Sequence, residues 1–168
     1  MSSLPISDRE LLQQRAAALA RPLERAQQRG LPLVVFALAN TGLAIELRFL
    51  REAVRVPQLT MLPGAPLVQG LALLRGEVLP VFLLAPLLGL AQPPVRPGSR
   101  LLVLGEHLPE LGVVVDEIVG AAFFAESELS ALPESTAPTS LCRGLMPDGT
   151  LLLDGARLLA DPRWRAGP

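Results

Sequence analysis

The sequence predicts an all-β core of two small barrels with short helices beside it. Three observations carry that expectation. Apolar runs of four to seven residues recur and are separated by turns rich in Gly, Pro and Asp, the pattern of short strands. Residues 63–90, PGAPLVQGLALLRGEVLPVFLLAPLLGL, hold two apolar runs around Arg75, Gly76 and Glu77, which reads as a buried hairpin with a charged tip. Residues 91–99, AQPPVRPGS, concentrate Pro and Gly and suit a crossover between two halves. Periodicity leaves the topology of the barrels open.

Taken in order, the chain begins with a capping box at residues 7–10, after which Leu12, Ala16, Leu19, Leu23 and Ala26 recur at alternating steps of four and three. Residues 1–30 therefore read as an N-terminal helical extension. Pro22 kinks or restarts it, and Gly30 stops it. Residues 33–38 form a strand, 40–42 a turn and 43–47 a second strand with Glu46 facing away from Ile45, the pair reading as a β-hairpin; residues 49–54 follow it. The central hairpin uses residues 67–74 and 78–84, and its turn needs the positive φ that Gly76 supplies. Past the crossover, residues 100–104 and 111–120 read as strands. The last hairpin turns at Asp148 and Gly149, and residues 157–160 make a short closing helix.

Composition excludes several kinds of chemistry. All fifteen basic residues are arginine, so lysine Schiff bases and a phosphate-binding P-loop are ruled out. A single cysteine, Cys142, excludes an internal disulfide and a cysteine-rich zinc site. His107 is the lone histidine and sits in a Pro-bounded turn, while Asp116 and Glu117, as neighbours on a strand, face opposite sides. No catalytic residue, cofactor site or metal site is expected. Half the residues are hydrophobic, yet Arg75 and Glu77 split the best apolar run below the roughly 18–20 residues of a membrane span. The first ten residues lack a basic segment followed by an apolar one, so a secretory signal is not expected and a cytoplasmic location is. Eight arginines fall in residues 9–55, whereas residues 101–142 carry none and are rich in Asp and Glu; with a net charge of −1 this polarity suits oriented protein encounters and gives no support for nucleic acid.

One linear pattern is more specific than these. Pro63, Gly64, Pro66, Gly70, Leu74, Arg75, Gly76, Leu79, Pro80, Val81, Leu87, Leu88, Gly89 and Leu90 stand in an order that resembles the CheW family, the coupling proteins of bacterial chemotaxis arrays. Leu50, Arg51 and Glu52 extend the likeness upstream, and residues 112–118 downstream, so it covers about residues 33–160. The resemblance implies two intertwined five-stranded SH3-like barrels, the first roughly residues 31–92 and the second roughly 99–160, within a domain of residues 31–168. It also implies a non-catalytic adaptor that links the cytoplasmic tip of methyl-accepting chemoreceptors to the regulatory domain of a CheA-type histidine kinase, in the cytoplasm at receptor clusters. By the same resemblance, receptor contact falls on Leu50, Glu52, Gly70, Arg75, Gly76, Gly112, Ile118 and Ala121. Arg75 either bonds acceptors on a receptor helix or pairs with Glu52.

The sequence also departs from the family. Leu73 replaces an Asn, Leu83 replaces an Asp, and the hairpin around Asp148 and Gly149 is about three residues short. Leucine adds apolar surface where it is exposed and needs no polar partner where it is buried. An alternative reading is therefore a receptor-side paralogue with lost or altered kinase binding. A third reading, of another class, is a small hydrolase using His107 with Asp116 or Glu117.

Overall fold

A computed structural model describes residues 30–65, 67–134 and 139–165. The expected N-terminal helix and part of the Pro-bearing loop before Thr139 lie outside these residues. Eleven strands were found among them. β1 (Leu31–Leu38) and β2 (Thr41–Glu46) form the first hairpin; its two-residue turn, Ala39 and Asn40, has φ of +51° and +60°. Such a turn matches the right-handed twist of the flanking strands. A 3-10 turn over Leu47–Phe49 then leads into β3 (Leu50–Arg55), β4 (Leu59–Thr60) and the central hairpin of β5 (Val68–Leu74) and β6 (Glu77–Phe82). Helix α1 (Leu84–Leu87) precedes the Pro-rich crossover, which is coil. β7 (Arg100–Leu104), β8 (Leu111–Val115), β9 (Glu117–Phe124), β10 (Cys142–Leu145), β11 (Leu151–Leu153) and helix α2 (Gly155–Ala160) complete the chain.

The strands form a five-stranded sheet, ordered β10-β11-β2-β1-β9, and a six-stranded sheet, ordered β3-β7-β8-β6-β5-β4. Neither sheet ends at the Pro-rich crossover. The six-stranded sheet is continuous in sequence, from Leu50 to Val115, while the five-stranded sheet takes β1 and β2 from the start and β9 to β11 from the end. The chain passes between sheets at Leu47–Phe49 and at Asp116. Here the expectation of one strand over residues 111–120 is corrected. Asp116 breaks that run: its N–H donates to the Ala37 carbonyl at 2.9 Å and its Oδ2 accepts from the Ala39 N–H at 2.8 Å. The carboxylate thus anchors the β1–β2 turn, and β8 and β9 fall in different sheets.

Side-chain alternation explains why several strands read as unbroken apolar runs. On β7, Leu102 and Leu104 join the main core between the sheets, whereas Leu101 and Val103 join a second cluster with Ala72, Leu79, Val81 and Val114. A strand buried on both faces has no polar side to show. The main core also takes Phe36, Phe49, Phe82, Leu87, Leu158 and Trp164, so it is lined by both sheets and both helices. A third cluster of Leu33, Ala44, Phe124, Met146 and Leu152 lies on the other face of the five-stranded sheet. The central hairpin is less buried than its composition suggests. Leu73 and Val78, paired across its outer end, are each 66% exposed.

Trp164 closes the core from a final 3-10 turn, Pro162–Trp164, with its ring 4.6 Å from that of Phe82. Asp161 caps this turn: it is buried, accepts from the Arg163 N–H at 2.9 Å and receives the Arg163 guanidinium at 2.6 Å. The hydrogen bond from the Arg163 side chain holds its carboxyl below the usual carboxylate range. The unfolded chain therefore binds this proton more readily than the folded one. The resulting stabilisation is complete above the unfolded value, about pH 4, and is lost as pH falls through the lower folded value. Asp161→Asn is expected to cost about 0.5–2 kcal/mol at neutral pH. Urea unfolding of both proteins checks it: the gap should narrow as the pH falls below the unfolded value of about 4 and the native carboxylate in turn protonates.

Candidate interaction site

An ion pair meets an open cleft at the tip of the β5–β6 hairpin. Leu74 and Glu77 pair across a two-residue turn, and both turn residues take positive φ, Arg75 at +50° and Gly76 at +83°. Gly76 meets that demand without strain, whereas Arg75 is an uncommon residue for this region. Positioned there, Arg75 brings Nη2 to 2.7 Å from Glu52 Oε2. Glu52 lies on β3, an edge of the six-stranded sheet, just past a register shift between Leu50 and Glu52. That sheet curls far enough for its β3 edge to meet the distant β5–β6 tip.

Glu52, Arg75, Val78, Leu79, Val103 and Pro109 line an open cleft of about 260 Å³ beside the pair. The Arg75 side chain is 83% exposed, against 21% for Glu52. An ion pair so open to water contributes about 0–1 kcal/mol to stability. Its geometry matters more than its strength: Glu52 fixes a guanidinium that is still largely open to solvent, beside Val78, Leu79 and Val103 and with Glu77 also on the cleft wall. Such a surface can bind a helix that presents acceptors beside apolar side chains.

The other positions that the resemblance assigns to receptor contact are dispersed. Leu50 is half-buried against the main core. Gly70 is buried, and a Cβ there would lie 2.6 Å from the Thr60 carbonyl oxygen, so this glycine lets β4 approach β5. A Cβ on Gly112 would meet Leu101 Cδ1 at 2.8 Å. Ile118 packs on the main core and Ala121 is exposed, both on β9 of the other sheet. The structure thus joins Glu52, Arg75 and Gly76 in one site, while Gly70 and Gly112 serve packing where they stand.

A second polar cluster escaped sequence reading. Glu46 is buried, with its carboxylate 2.6 Å from Arg48 Nε and 2.7 Å from Arg143 Nη1; Arg143 also bonds Glu126. Alternation placed Glu46 on the outer side of β2, and nothing local could show a partner 97 residues away. Nearby, Arg48 also lies over the Phe49 ring, 4.3 Å from its centroid.

Catalytic groupings fail on geometry. His107 is exposed in the bend before β8, and Asp116 follows the last residue of that strand, where its carboxylate is held by Ala39. The five residues of β8, about 17 Å long, lie between the loop that holds His107 and the position of Asp116. Burial raises the Cys142 thiol, which disfavours the reactive thiolate. Among the described residues, no three His, Cys, Asp or Glu side chains cluster in a way that could hold a metal ion.

Comparison with known proteins agrees with this architecture. A family model described as the CheW-like domain matches residues 32–163. Protein PilI of Pseudomonas aeruginosa is 40% identical over 75 residues, which is 44% of this chain and 42% of that protein, so the match spans less than half of its length. The crystal structure of the scaffolding protein TtCheW from Thermoanaerobacter tengcongensis aligns with a TM-score of 0.66 over 74% of this chain and 84% of that one, at 22% identity, a likeness of fold.

Proposed function

The chain belongs to the CheW-like domain family, whose members are non-catalytic adaptors of chemosensory signalling, and on that premise we propose that it couples chemoreceptor cytoplasmic tips to a CheA-type histidine kinase. One observation carries the reading. Glu52 and Arg75, which the resemblance assigns to receptor contact, meet at 2.7 Å beside an open cleft. In this reading residues 31–168 are the adaptor domain, residues 1–30 are an appendage to it, and the protein works in the cytoplasm at receptor clusters. Among the described residues no helix is long and apolar enough to cross a membrane.

A specific observation favours a second reading, a receptor-side adaptor with altered kinase binding. Leu73 is 66% exposed where the family has Asn, so the outer hairpin face has gained apolar surface. Leu83, by contrast, is half-buried. Exposed apolar side chains at a docking surface change which partner is preferred, because specificity is a difference between affinities.

Calorimetric titration with a receptor tip fragment and, separately, with a CheA-type regulatory domain distinguishes the readings. Coupling predicts micromolar or tighter binding of both. Receptor binding alone identifies the receptor-side adaptor, and failure to bind either fragment sinks both readings.

A further inference from the structure

The loop that joins β7 to β8, residues 105–110, runs beside the Glu52–Arg75 cleft. Pro109 lines that cleft, and Leu108, the residue before it, is 72% exposed, more than any other large apolar side chain among the described residues. A leucine alone on a surface needs no explanation. This one is not alone at the cleft: Val78, which lines it from the β5–β6 hairpin, is 66% exposed. Two elements distant in sequence thus bring open apolar side chains to one cleft, around a guanidinium that Glu52 holds in place.

The loop is built to keep its shape. Its first residue, Gly105, is buried and donates its N–H to the Phe49 carbonyl at 3.0 Å, and its last, Glu110, donates to the Leu104 carbonyl at 2.9 Å. Across the loop the Glu110 carboxylate accepts the Glu106 N–H at 3.0 Å, and the Arg51 guanidinium of β3 donates to the His107 carbonyl. The Leu108 carbonyl turns back so far that any Cβ on Gly105 would overlap it. Pro109 further restricts the Leu108 backbone to extended conformations. A leucine on a backbone held in this way needs little further ordering when a partner arrives, so more of its burial appears as affinity.

The chemistry at the cleft describes the occupant. A helix about 10–12 Å across is too wide to enter a cleft of about 260 Å³ whole, so it rests on the walls and sends one or two side chains in. Arg75 requires acceptors, while Val78, Pro109 and Leu108 require apolar side chains on the same face, which is the profile of an amphipathic helix. Resting on the coupling function proposed above, we propose that Leu108 is a specificity-determining contact for the receptor tip: it packs on an apolar side chain of the same receptor helix whose acceptors bond Arg75. The β7–β8 loop is then a wall of the receptor site, and it rejects tips that carry a charged side chain at the facing position.

Photo-cross-linking and titration of the full chain test it, with the chemoreceptor tip fragment and the CheA-type regulatory domain of the titrations above as probes. Leu108→p-benzoylphenylalanine is expected to cross-link to the receptor fragment, and at a fragment concentration near the parental Kd the yield should fall severalfold when Arg75→Ala is added, because one helix engages both residues. Leu108→Ala should weaken receptor binding about tenfold, the loss of roughly two buried methylene groups. Leu108→Asp should weaken it further, since its carboxylate would be covered without a partner. Both variants should melt like the parent, because the side chain stands outside the core. Parental receptor affinity in the folded Leu108→Ala protein, or cross-links to the regulatory domain in place of the receptor fragment, would overturn the proposal and leave receptor coupling standing. A parent chain that binds no receptor fragment would overturn both.

Discussion

Replacing Phe49 by alanine is expected to lower the unfolding free energy by about 3–5 kcal/mol, out of a total near 5–15 kcal/mol for a domain of this kind. Phe49 is 1% exposed and stands at the first passage between the two sheets. Its ring lies against Gly155, the first residue of helix α2, so closely that any Cβ on Gly155 would overlap Phe49 Cδ2. The alanine variant would leave a cavity where sheet, turn and helix meet, and β3 and α2 can only partly collapse into it. Urea unfolding measures the loss directly; a cost under about 1 kcal/mol would show that the ring does not hold the junction. The contact also predicts coupling. Gly155→Ala should cost about 1–3 kcal/mol alone, but less in a Phe49→Ala background, where Cγ, Cδ2 and Cε2 of the overlapping ring are gone.

Arg75→Ala is expected to weaken receptor-tip binding by about 1.5–3 kcal/mol, roughly ten- to a hundredfold, while the melt stays within about 1 kcal/mol of the parent. The two readouts part because the Arg75 side chain is 83% exposed and contributes little to the core. Glu52→Ala should also weaken binding, by releasing the guanidinium from its fixed place. A folded Arg75→Ala protein with parental receptor affinity would reduce Arg75 to a solvated turn residue. Exchanging the charges, Arg75→Glu with Glu52→Arg, keeps an ion pair but inverts what the cleft presents to a partner. That variant should melt like the parent and bind no better than Arg75→Ala.

The legible parts of this fold were those whose cause is local. Gly76 required a turn after Leu74, Asp148 and Gly149 required another, and apolar runs bounded by such turns became strands. Arg75 stood out because it interrupts apolar sequence on both sides. Its conformation was only half legible: positive φ was expected of Gly76, and Arg75 shares it. Long-range partners left no local trace. Asp116 reads as one more residue of an apolar strand until Ala39, 77 residues earlier, presents an N–H to it. Glu46 awaited Arg143, and Gly155 gives no sign in sequence that it makes room for Phe49. The exposure of Leu73 and Val78 was hidden for a related reason: an apolar run has no polar marker to show where its strand leaves the core.

The division of the strands also imposes an order on assembly. The six-stranded sheet is complete once Val115 is available, whereas β1 and β2 must wait for β9, whose Phe124 pairs with Leu31, and for β11, which pairs in parallel with β2. At synthesis rates of about 5–20 residues per second, the first hairpin stays without its sheet neighbours for several seconds after it emerges. Contacts so distant in sequence close slowly, and an unpaired hairpin edge invites the wrong chain. On the ribosome the continuous sheet should therefore form first, as the template onto which the earliest strands of the chain are fastened last.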